Sequence, residues 1–259
     1  MKEKLDIIQK LTLMDDIFFE AFAQDQEAVQ EMLRVILEKP NLIVKEVRTQ
    51  DAFSNLYGKS VRLDACCKLE DGKIVNVEIQ NSDNDNHIKR ALYNAAHVVI
   101  RESDKGTKFE ELPNIIVIYI MKSDFFKKDK LVYHMDFAIR DMNEILDSGI
   151  EVMYLNASKI ENSAISRLLQ NMKKTVLDDP EFPKLTQRFK YLKNEEKGVQ
   201  RMCELMEKYT KNVRIEGELI GKIKIYYFEM HLEPIEIARR LNVSENVVLD
   251  IIHNSQENN

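Results

Sequence analysis

The sequence lacks any long apolar stretch, although 44% of its 259 residues are hydrophobic. No run approaches the roughly 20 apolar residues that a helix needs to span a bilayer. Residues 1–9 mix charged residues with Leu and Ile, unlike the apolar core of a secretory signal peptide. We therefore expect a soluble, cytoplasmic protein with no membrane partner. Its length suffices for one main domain and a smaller appendage.

Cysteine is also scarce, since the chain has only Cys66, Cys67 and Cys203. Adjacent residues of a strand point to opposite faces, so this set fits neither a disulfide framework nor a zinc signature. We expect three reduced cysteines, two in a strand and Cys203 in a helix. Glycine-rich phosphate loops, zinc-ligand spacings and Ser/His/Asp arrangements are absent from the sequence as well, which removes most rival enzyme classes.

The net charge of −6 argues against a broadly basic surface that coats DNA. The charge is uneven, because residues 188–224 hold ten basic and six acidic residues. This local excess can meet phosphate groups, but a mixed-charge run on a helix is more often a solvated face. Charge alone therefore does not establish nucleic-acid binding.

Residues 61–80 have the strongest local pattern, a hairpin in which apolar and polar residues alternate. The alternation has the period of two expected of half-buried strands. A two-residue loop, Asp71-Gly72, would split the apolar residues between the two faces. A three-residue loop over residues 70–72, with Gly72 in the left-handed conformation, pairs Leu69 with Lys73 and unites every apolar residue except Ile74 on one face. We therefore predict the three-residue loop.

In this register Asp64 lies opposite Glu78, and Arg62 lies opposite Gln80. Opposed side chains have β-carbons about 5 Å apart, so two carboxylates destabilise the sheet unless a cation or a proton lies between them. The pairing predicts an oxygen-rich site for a divalent metal. The alternative is that Asp64 and Glu78 are solvated positions on the open face of an antiparallel sheet, and the hairpin by itself favours that alternative.

The remaining periodicities predict an α/β protein with a mixed sheet flanked by helices. We predict helices at 4–23, 26–39, 87–101 and 163–177, and strands at 43–49, 114–121, 131–137 and 150–155. The strand at 114–121 is nearly continuously apolar, which is typical of a central strand buried on both faces. The helix at 87–101 carries Arg90, Asn94, His97 and Arg101 on one side, so it can cover the sheet and present basic groups to the site.

Beyond Pro183 the composition changes to long helices, which predicts one domain at 1–182 and a helical extension at 183–259. The extension should contain helices at 185–193 and 197–231, followed by a short helical pair with Pro234 in its first turn and Ser244 as a cap. The spacing of this pair resembles a helix-turn-helix. We favour a pair that docks on the domain or on a second subunit, because its second helix has two acids and no Lys or Arg. Apolar residues along the long helix predict a homodimer formed through these helices.

Asp64, Glu78 and Gln80, with hydrophobic residues between them and an amphipathic helix after them, resemble the motif of the PD-(D/E)XK nuclease superfamily. The likeness narrows to the PD-(D/E)XK nuclease family transposases, also called recombination-promoting nucleases. It covers about residues 11–174 and is carried by Gly-Lys-Ser-Val-Arg-Leu-Asp at 58–64, Val-Glu-Ile-Gln at 77–80, Lys-Arg-Ala-Leu-Tyr at 89–93 and Ile-Tyr-Ile-Met-Lys-Ser-Asp-Phe-Phe at 118–126, together with Asp15, Phe18 and Phe22. Phe19 departs from the family pattern, which usually has Lys at that position.

The resemblance implies a restriction-endonuclease-like fold and a DNA endonuclease that depends on Mg²⁺ or Mn²⁺ and is linked to mobile DNA or recombination. It implies that Asp64, Glu78 and Gln80 are catalytic. Asp64, Glu78 and the backbone carbonyl of Ile79 would hold the metal, because hard cations take oxygen ligands.

Gln80 departs from the superfamily pattern, which has Lys there, although Gln is usual in this subfamily. A neutral amide can orient a water but supplies no charge. Arg62 and Arg90 are the candidates for compensation, Tyr93 for a phosphate contact, and Asp15 for an additional carboxylate near the metal. For Arg90 and Tyr93 the alternative is an ordinary surface or packing role.

The alternative function is a catalytically inactive protein that keeps the nuclease fold and acts as a DNA-binding or self-associating module. Gln80 and the acidic balance of charge motivate it.

Overall fold

The computed structural model describes residues 2–53, 61–80, 87–103 and 106–256 of the chain. They form two compact units, Met1–Cys203 and Glu204–Asn259. In the part of the chain that the structure describes, none of the helices is both long and apolar enough to cross a membrane.

The helices and strands alternate along the first unit. The helices are α1 Lys2–Lys10, α2 Asp16–Phe22, α3 Gln26–Ile36, α4 His87–Arg101, α5 Ala164–Met172, α6 Pro183–Asn194 and the first part of α7 Glu196–Lys224, with a short 3₁₀ helix at Phe109–Glu111. The strands are β1 Val44–Phe53, β2 Val61–Leu69, β3 Ile74–Gln80, β4 Ile115–Met121, β5 Val132–Met135, β6 Phe137–Ile139, β7 Glu144–Leu146 and β8 Ile150–Asn156.

Six strands form one mixed sheet in the order β1-β2-β3-β4-β8-β5. The central strands β3, β4 and β8 are parallel, and the outer pairs are antiparallel. Parallel neighbours need a crossover connection, and α4 supplies it between β3 and β4. The predicted α/β class, a mixed sheet flanked by helices with a helical C-terminal part, is confirmed.

Helices cover both faces of the sheet. α4 packs on β4 and β2, whereas α2 packs on β2 and α3 on β1. All seven residues of β4 are buried, as its continuous apolar sequence predicts. The three cysteines are free thiols, two of them buried in β2.

The predicted single helix at 4–23 is wrong, since the structure has α1 and α2 with a break between them. At the break, the Thr12 amide and hydroxyl donate to the Asp15 carboxylate at 2.7 and 2.8 Å. A carboxylate that captures backbone donors in this way competes with the helical hydrogen bonds. Asp15 therefore ends the first helical segment and precedes α2.

Two further boundaries differ from the prediction. The strand expected at 131–137 ends at Met135, and the chain then forms the small β6–β7 hairpin, which the alternation did not predict. The helix expected at 163–177 ends at Met172, after which the chain turns back and buries Leu177 and Phe182.

The first unit extends past the predicted domain boundary near residue 182. α6 packs against α2 and α3, and Leu185 and Phe189 on it are buried. The ring of Phe189 lies 5.1 Å from the ring of Phe18. The composition changes at Pro183, but residues of α6 beyond it are still buried in the first unit.

The second unit contains the rest of α7, a π-helical turn at Ile225–Glu229, α8 Pro234–Leu241 and α9 Glu245–Gln256. Its core consists of Ile223, Ile237, Ala238, Val248 and Ile252. Pro234 lies in the first turn of α8, and the Val247 amide donates to the Ser244 hydroxyl before α9. The predicted helical pair and its two terminal residues are confirmed.

Candidate active site

The β2–β3 hairpin has the predicted register. Ala65 pairs with Val77, and Cys67 pairs with Val75. At the turn, the Leu69 amide donates to the Lys73 carbonyl at 2.9 Å, and Gly72 adopts a φ of 85°. A left-handed conformation of this kind favours glycine, so the three-residue loop is confirmed.

The hydrogen-bonded ladder between β2 and β3 ends at Ala65 and Val77. One step further in the same register come Asp64 and Glu78, and there a side chain replaces the ladder. The Ile79 amide donates to Oδ2 of Asp64 at 2.9 Å. The Asp64 carboxylate thus lies where the two strands separate, beside Glu78.

The predicted pairing of Arg62 with Gln80 is wrong for the backbone. The β2–β3 ladder ends before these residues, so Arg62 keeps only the pairing with Ala52 of β1, on the other edge of β2. The Gln80 carbonyl accepts from the Lys122 amide at 3.1 Å, at the end of β4. The side chain of Arg62 lies outside the described residues.

Glu78 is fully buried, with 0% exposure. Its Oε1 accepts from the Asn76 amide group at 2.8 Å, whereas its Oε2 is buried without a hydrogen-bond partner. The Arg90 guanidinium lies 3.9 Å from Oε2. This burial excludes the alternative in which Glu78 is a solvated position on an open sheet face.

Burial is also the main electrostatic influence on Glu78. Together with the charge of Asp64, it raises the pKa of Glu78 to about 8, against the opposing effects of the Asn76 hydrogen bond and of Arg90. A buried carboxyl beside a second carboxylate favours either a proton or a bound cation. The site is therefore electrostatically prepared for positive charge.

Helix α4 packs on the face of the sheet that carries the site. Asn94 is buried, and its amide group donates to the Tyr119 hydroxyl at 3.2 Å. Tyr119 lies on β4 in register with Glu78. Burial and the nearby charge of Glu78 raise the pKa of Tyr119 above its usual range. The hydroxyl therefore remains protonated beside the carboxylates.

Asn76, Asn94 and Tyr119 are site residues that the sequence did not reveal. Asn76 precedes Glu78 by two positions, so the period of two does place both side chains on one face. The sequence also puts Asn94 on the same side of α4 as Arg90. Tyr119 lies in a motif that carries the family resemblance, but its place beside Glu78 depends on the register between β3 and β4.

The structure also describes Gln80, Ile79 and Tyr93, three further residues that the sequence predicted for the site. Gln80 is the buried last residue of β3, and Ile79 is held through its amide by Asp64. The ring of Tyr93 packs edge-on against His97, with centroids 4.5 Å apart, and borders the core under α4. This packing fits the ordinary role that the sequence left open for Tyr93, and its phosphate contact stays a prediction.

The structure does not bring Asp15 to the carboxylate pair. Its carboxylate accepts from Thr12 before α2, and its charge acts on Lys193 of α6. Among the described residues, no group of three or more His, Cys, Asp or Glu side chains is arranged to hold a metal. These contacts give no support to the prediction that Asp15 supplies a further carboxylate there, and it stays a prediction.

The donor chemistry of the pair still fits a hard divalent cation. Asp64 and Glu78 offer carboxylate oxygens, and Oε2 of Glu78 is buried with no hydrogen bond to compensate it. An uncompensated buried carboxylate is costly, and an oxygen-seeking cation relieves that cost. Backbone carbonyls and waters commonly complete such a coordination shell.

Comparison with protein families matches residues 13–218 to the PD-(D/E)XK nuclease family transposases. The chain belongs to this family. The match covers the whole mixed sheet, the helices that flank it and most of α7, and the fold is consistent with that of PD-(D/E)XK proteins. Comparisons with curated proteins and with solved structures found no match. Membership in the PD-(D/E)XK family supports a nuclease-type hydrolase.

Proposed function

We propose that this PD-(D/E)XK family member is a DNA endonuclease that depends on Mg²⁺ or Mn²⁺ and acts in recombination or on mobile DNA. One observation carries the proposal. Glu78 is buried beside Asp64 with one carboxylate oxygen that has no hydrogen-bond partner, and the Arg90 guanidinium lies 3.9 Å from that oxygen. A purely structural role gives no reason to bury one carboxylate beside a second, half-buried one in this way.

Asp64, Glu78 and the backbone carbonyl of Ile79 are the residues that would hold the metal. When bound, a divalent metal supplies a water of lowered pKa and stabilises negative charge on the scissile phosphate. Asn76 fixes the orientation of Glu78 through its hydrogen bond to Oε1, and the Ile79 amide fixes Asp64. The two carboxylates are thus held in place before any ligand binds.

In this proposal Gln80 and Arg90 together replace the motif lysine of the superfamily, which both orients the water and supplies positive charge. The Gln80 amide can orient a water, since it both donates and accepts hydrogen bonds. Arg90 supplies the positive charge, and its guanidinium can also bind a phosphate oxygen. Its side chain is 38% exposed, so it can reach both Glu78 and a substrate at the surface.

The helical second unit suits self-association. Tyr209 and Ile215 on α7 are 49% and 54% exposed. Exposed apolar side chains along one helix favour a helical partner, so we include a homodimer in the proposal. Double-strand cleavage requires two sites or two visits by one site, which a dimer would provide.

The second candidate is the inactive module with a nuclease fold. Two observations favour it: Gln80 stands in place of the motif lysine, and the described residues hold no third carboxylate at the pair. This protein would bind DNA or associate with itself without cutting.

A plasmid-nicking assay separates the two candidates. Purified protein with Mg²⁺ or Mn²⁺ should nick supercoiled plasmid, and Asp64→Asn and Glu78→Gln should each abolish nicking. Glu70→Gln, in the exposed turn of the same hairpin, is the matched control and should nick like the parent. If the parent leaves the plasmid intact, or if the site variants cut as well as the parent, the endonuclease proposal fails. Calorimetry then tests the inactive module, for which we expect no metal binding at Glu78.

A further inference from the structure

Residues 122–130 connect β4 to β5, and we call this segment the lysine turn. It carries Lys122, Lys127, Lys128 and Lys130, all with exposed side chains. None of these four ammonium groups forms an ion pair with another residue in the ranges that the structure describes. The two acids of the turn have partners other than these ammonium groups. Asp124 accepts hydrogen bonds from backbone amides within the turn, and Asp129 pairs with Lys159.

The lysine turn leaves the sheet next to the candidate site. β3 and β4 run parallel, and Gln80 pairs with Met121 at their carboxyl ends. The first amide of the turn, that of Lys122, donates to the Gln80 carbonyl at 3.1 Å. The turn therefore begins at the same sheet edge as Glu78 and Gln80.

One carboxylate and one phenol hold the backbone of the lysine turn. The Asp124 carboxylate accepts from the amides of Lys127 and Asp129 at 3.0 and 2.8 Å, and from the Tyr133 hydroxyl at 2.8 Å. The amides of Lys128 and Lys130 donate to the same hydroxyl at 3.3 and 3.1 Å. A loop that is already ordered loses less conformational entropy when it binds a ligand.

Aromatic packing fixes the position of the turn relative to the carboxylates. The rings of Phe125 and Phe126 lie 6.5 and 5.1 Å from the ring of Tyr154 on β8. Tyr154 is in register with Tyr119, which is in register with Glu78. Phe125 and Phe126 also border the core cluster that α4 covers, so they lie on the same face of the sheet as the site.

The spacing of the strands gives the approximate distance between Glu78 and the lysine turn. Neighbouring strands lie about 4.8 Å apart, so β8 and β5 are about 10 and 14 Å from Glu78. One DNA strand advances about 3.4 Å per nucleotide along the duplex axis, so the lysine turn lies within a few nucleotides of the carboxylate pair. Lysine binds phosphate as a point charge without reading sequence.

We propose that the lysine turn binds the phosphate backbone of DNA within a few nucleotides of the bond to be cut. This inference rests on the proposed nuclease function and adds a phosphate-binding segment to it. The turn concentrates positive charge, which no ion pair among the described residues offsets, beside the site of a protein whose net charge is −6, so it localises the phosphate contacts there. It contributes affinity and orientation rather than sequence preference.

DNA-binding titrations of the full-length protein test the inference. A fluorescein-labelled duplex is titrated in EDTA, so that no cleavage occurs, at several salt concentrations. The variant Lys127→Gln/Lys128→Gln/Lys130→Gln removes three charges from the turn. The control Lys39→Gln/Lys68→Gln/Lys73→Gln removes the same charge near the opposite sheet edge, where β3 begins. Thermal melts establish that both variants fold.

We expect the turn variant to bind about tenfold or more weakly, with a salt slope shallower by about two to three, because each lost phosphate contact removes about 0.9 from that slope. The control should stay within about twofold of the parent. If the turn variant keeps the affinity and slope of a parent that binds and nicks DNA, this inference is wrong and the nuclease proposal stands. Equal weakening of both variants also overturns it. If the parent neither binds nor nicks DNA, the nuclease proposal fails and this inference fails with it.

Discussion

Asn76 donates a 2.8 Å hydrogen bond to one oxygen of the Glu78 carboxylate, and the other oxygen stays buried without such a bond. The two residues are separated by one position on β3, so their side chains share a face of the sheet. Asn76 therefore orients a carboxylate that has one free oxygen to offer. This division explains how a buried acid can be ordered and still available to a cation.

The first prediction concerns this orientation. Asn76→Ala should lower the affinity for Mn²⁺ about 10- to 100-fold, which is the usual effect of removing a group that positions a metal ligand. Calorimetric titration of the metal measures it. Asn41→Ala, at an exposed asparagine before β1, is the control and should bind Mn²⁺ like the parent. Equal affinities for Asn76→Ala and the parent would show that the hydrogen bond does not prepare the site.

The second prediction concerns the pH dependence of stability without metal. Burial and Asp64 raise the pKa of Glu78 from 4.5 to about 8, so the folded state holds a proton there that the unfolded state releases. Its contribution is full below pH 4.5 and is lost as the pH rises toward 8. In EDTA, the free energy of unfolding of the parent should fall from pH 5 to pH 8 more steeply than that of Glu78→Gln.

Metal supplies the control for this prediction. At pH 8 Mn²⁺ should restore stability to the parent, because it binds the ionised carboxylate of the folded state. The Glu78→Gln variant should show little stabilisation. Parallel pH profiles for the two proteins in EDTA would mean that Glu78 does not hold the extra proton.

The sequence predicted the hairpin half of the site well. Apolar residues recur with period two on both arms, and only the three-residue loop unites them, so the approach of Asp64 to Glu78 followed from local pattern. The ends of the pairing were not predictable. The Ile79 amide bonds to the Asp64 side chain, and this interrupts the ladder before Arg62 and Gln80.

The other half of the site depends on contacts that are distant in sequence. The row formed by Glu78, Tyr119, Tyr154 and Tyr133 requires the registers of three strand pairs at once. Those registers are fixed by the connections and by packing across the sheet, and no local periodicity encodes them. Asp15 is an example in the opposite direction. The family likeness predicts a role near the metal for it, whereas the hydrogen bonds that it accepts from Thr12 hold its carboxylate before α2.

The third prediction uses two neighbouring tyrosines as a matched pair. The Tyr119 hydroxyl accepts a hydrogen bond from buried Asn94, whereas the Tyr154 hydroxyl is buried without a hydrogen-bond partner. Tyr119→Phe should lower the free energy of unfolding by about 1–3 kcal/mol, because it leaves the Asn94 amide unsatisfied. Tyr154→Phe should be neutral or stabilising, since it removes an uncompensated polar atom. Urea titrations measure both, and equal losses would contradict the assignment of the hydrogen bond.

The fourth prediction concerns the acid stability of the segment between α5 and α6. Asp179 is buried, and its carboxylate accepts from Arg167 through two nitrogens at 2.8 Å and from Asn171 at 2.7 Å. Burial disfavours its ionised form, but these hydrogen bonds and that of the Glu181 amide outweigh the effect and lower the pKa of Asp179 from 3.8 to about 2. Its contribution to stability is therefore present above pH 3.8 and is lost as the pH falls toward 2.

Asp179→Asn should destabilise the protein near neutral pH by about 1–3 kcal/mol, because the guanidinium of Arg167 loses its buried charged acceptor and keeps only the exposed Glu181. The difference from the parent should shrink as the pH falls from 4 toward 2, where the parent carboxylate becomes protonated. Asp178→Asn is the neighbouring control, since Asp178 is exposed and pairs with Lys190 at the surface, a contact worth little. Urea midpoints of the three proteins across this pH range decide the matter: a pH-independent difference for Asp179→Asn would show that the charge of the carboxylate is not what stabilises this segment.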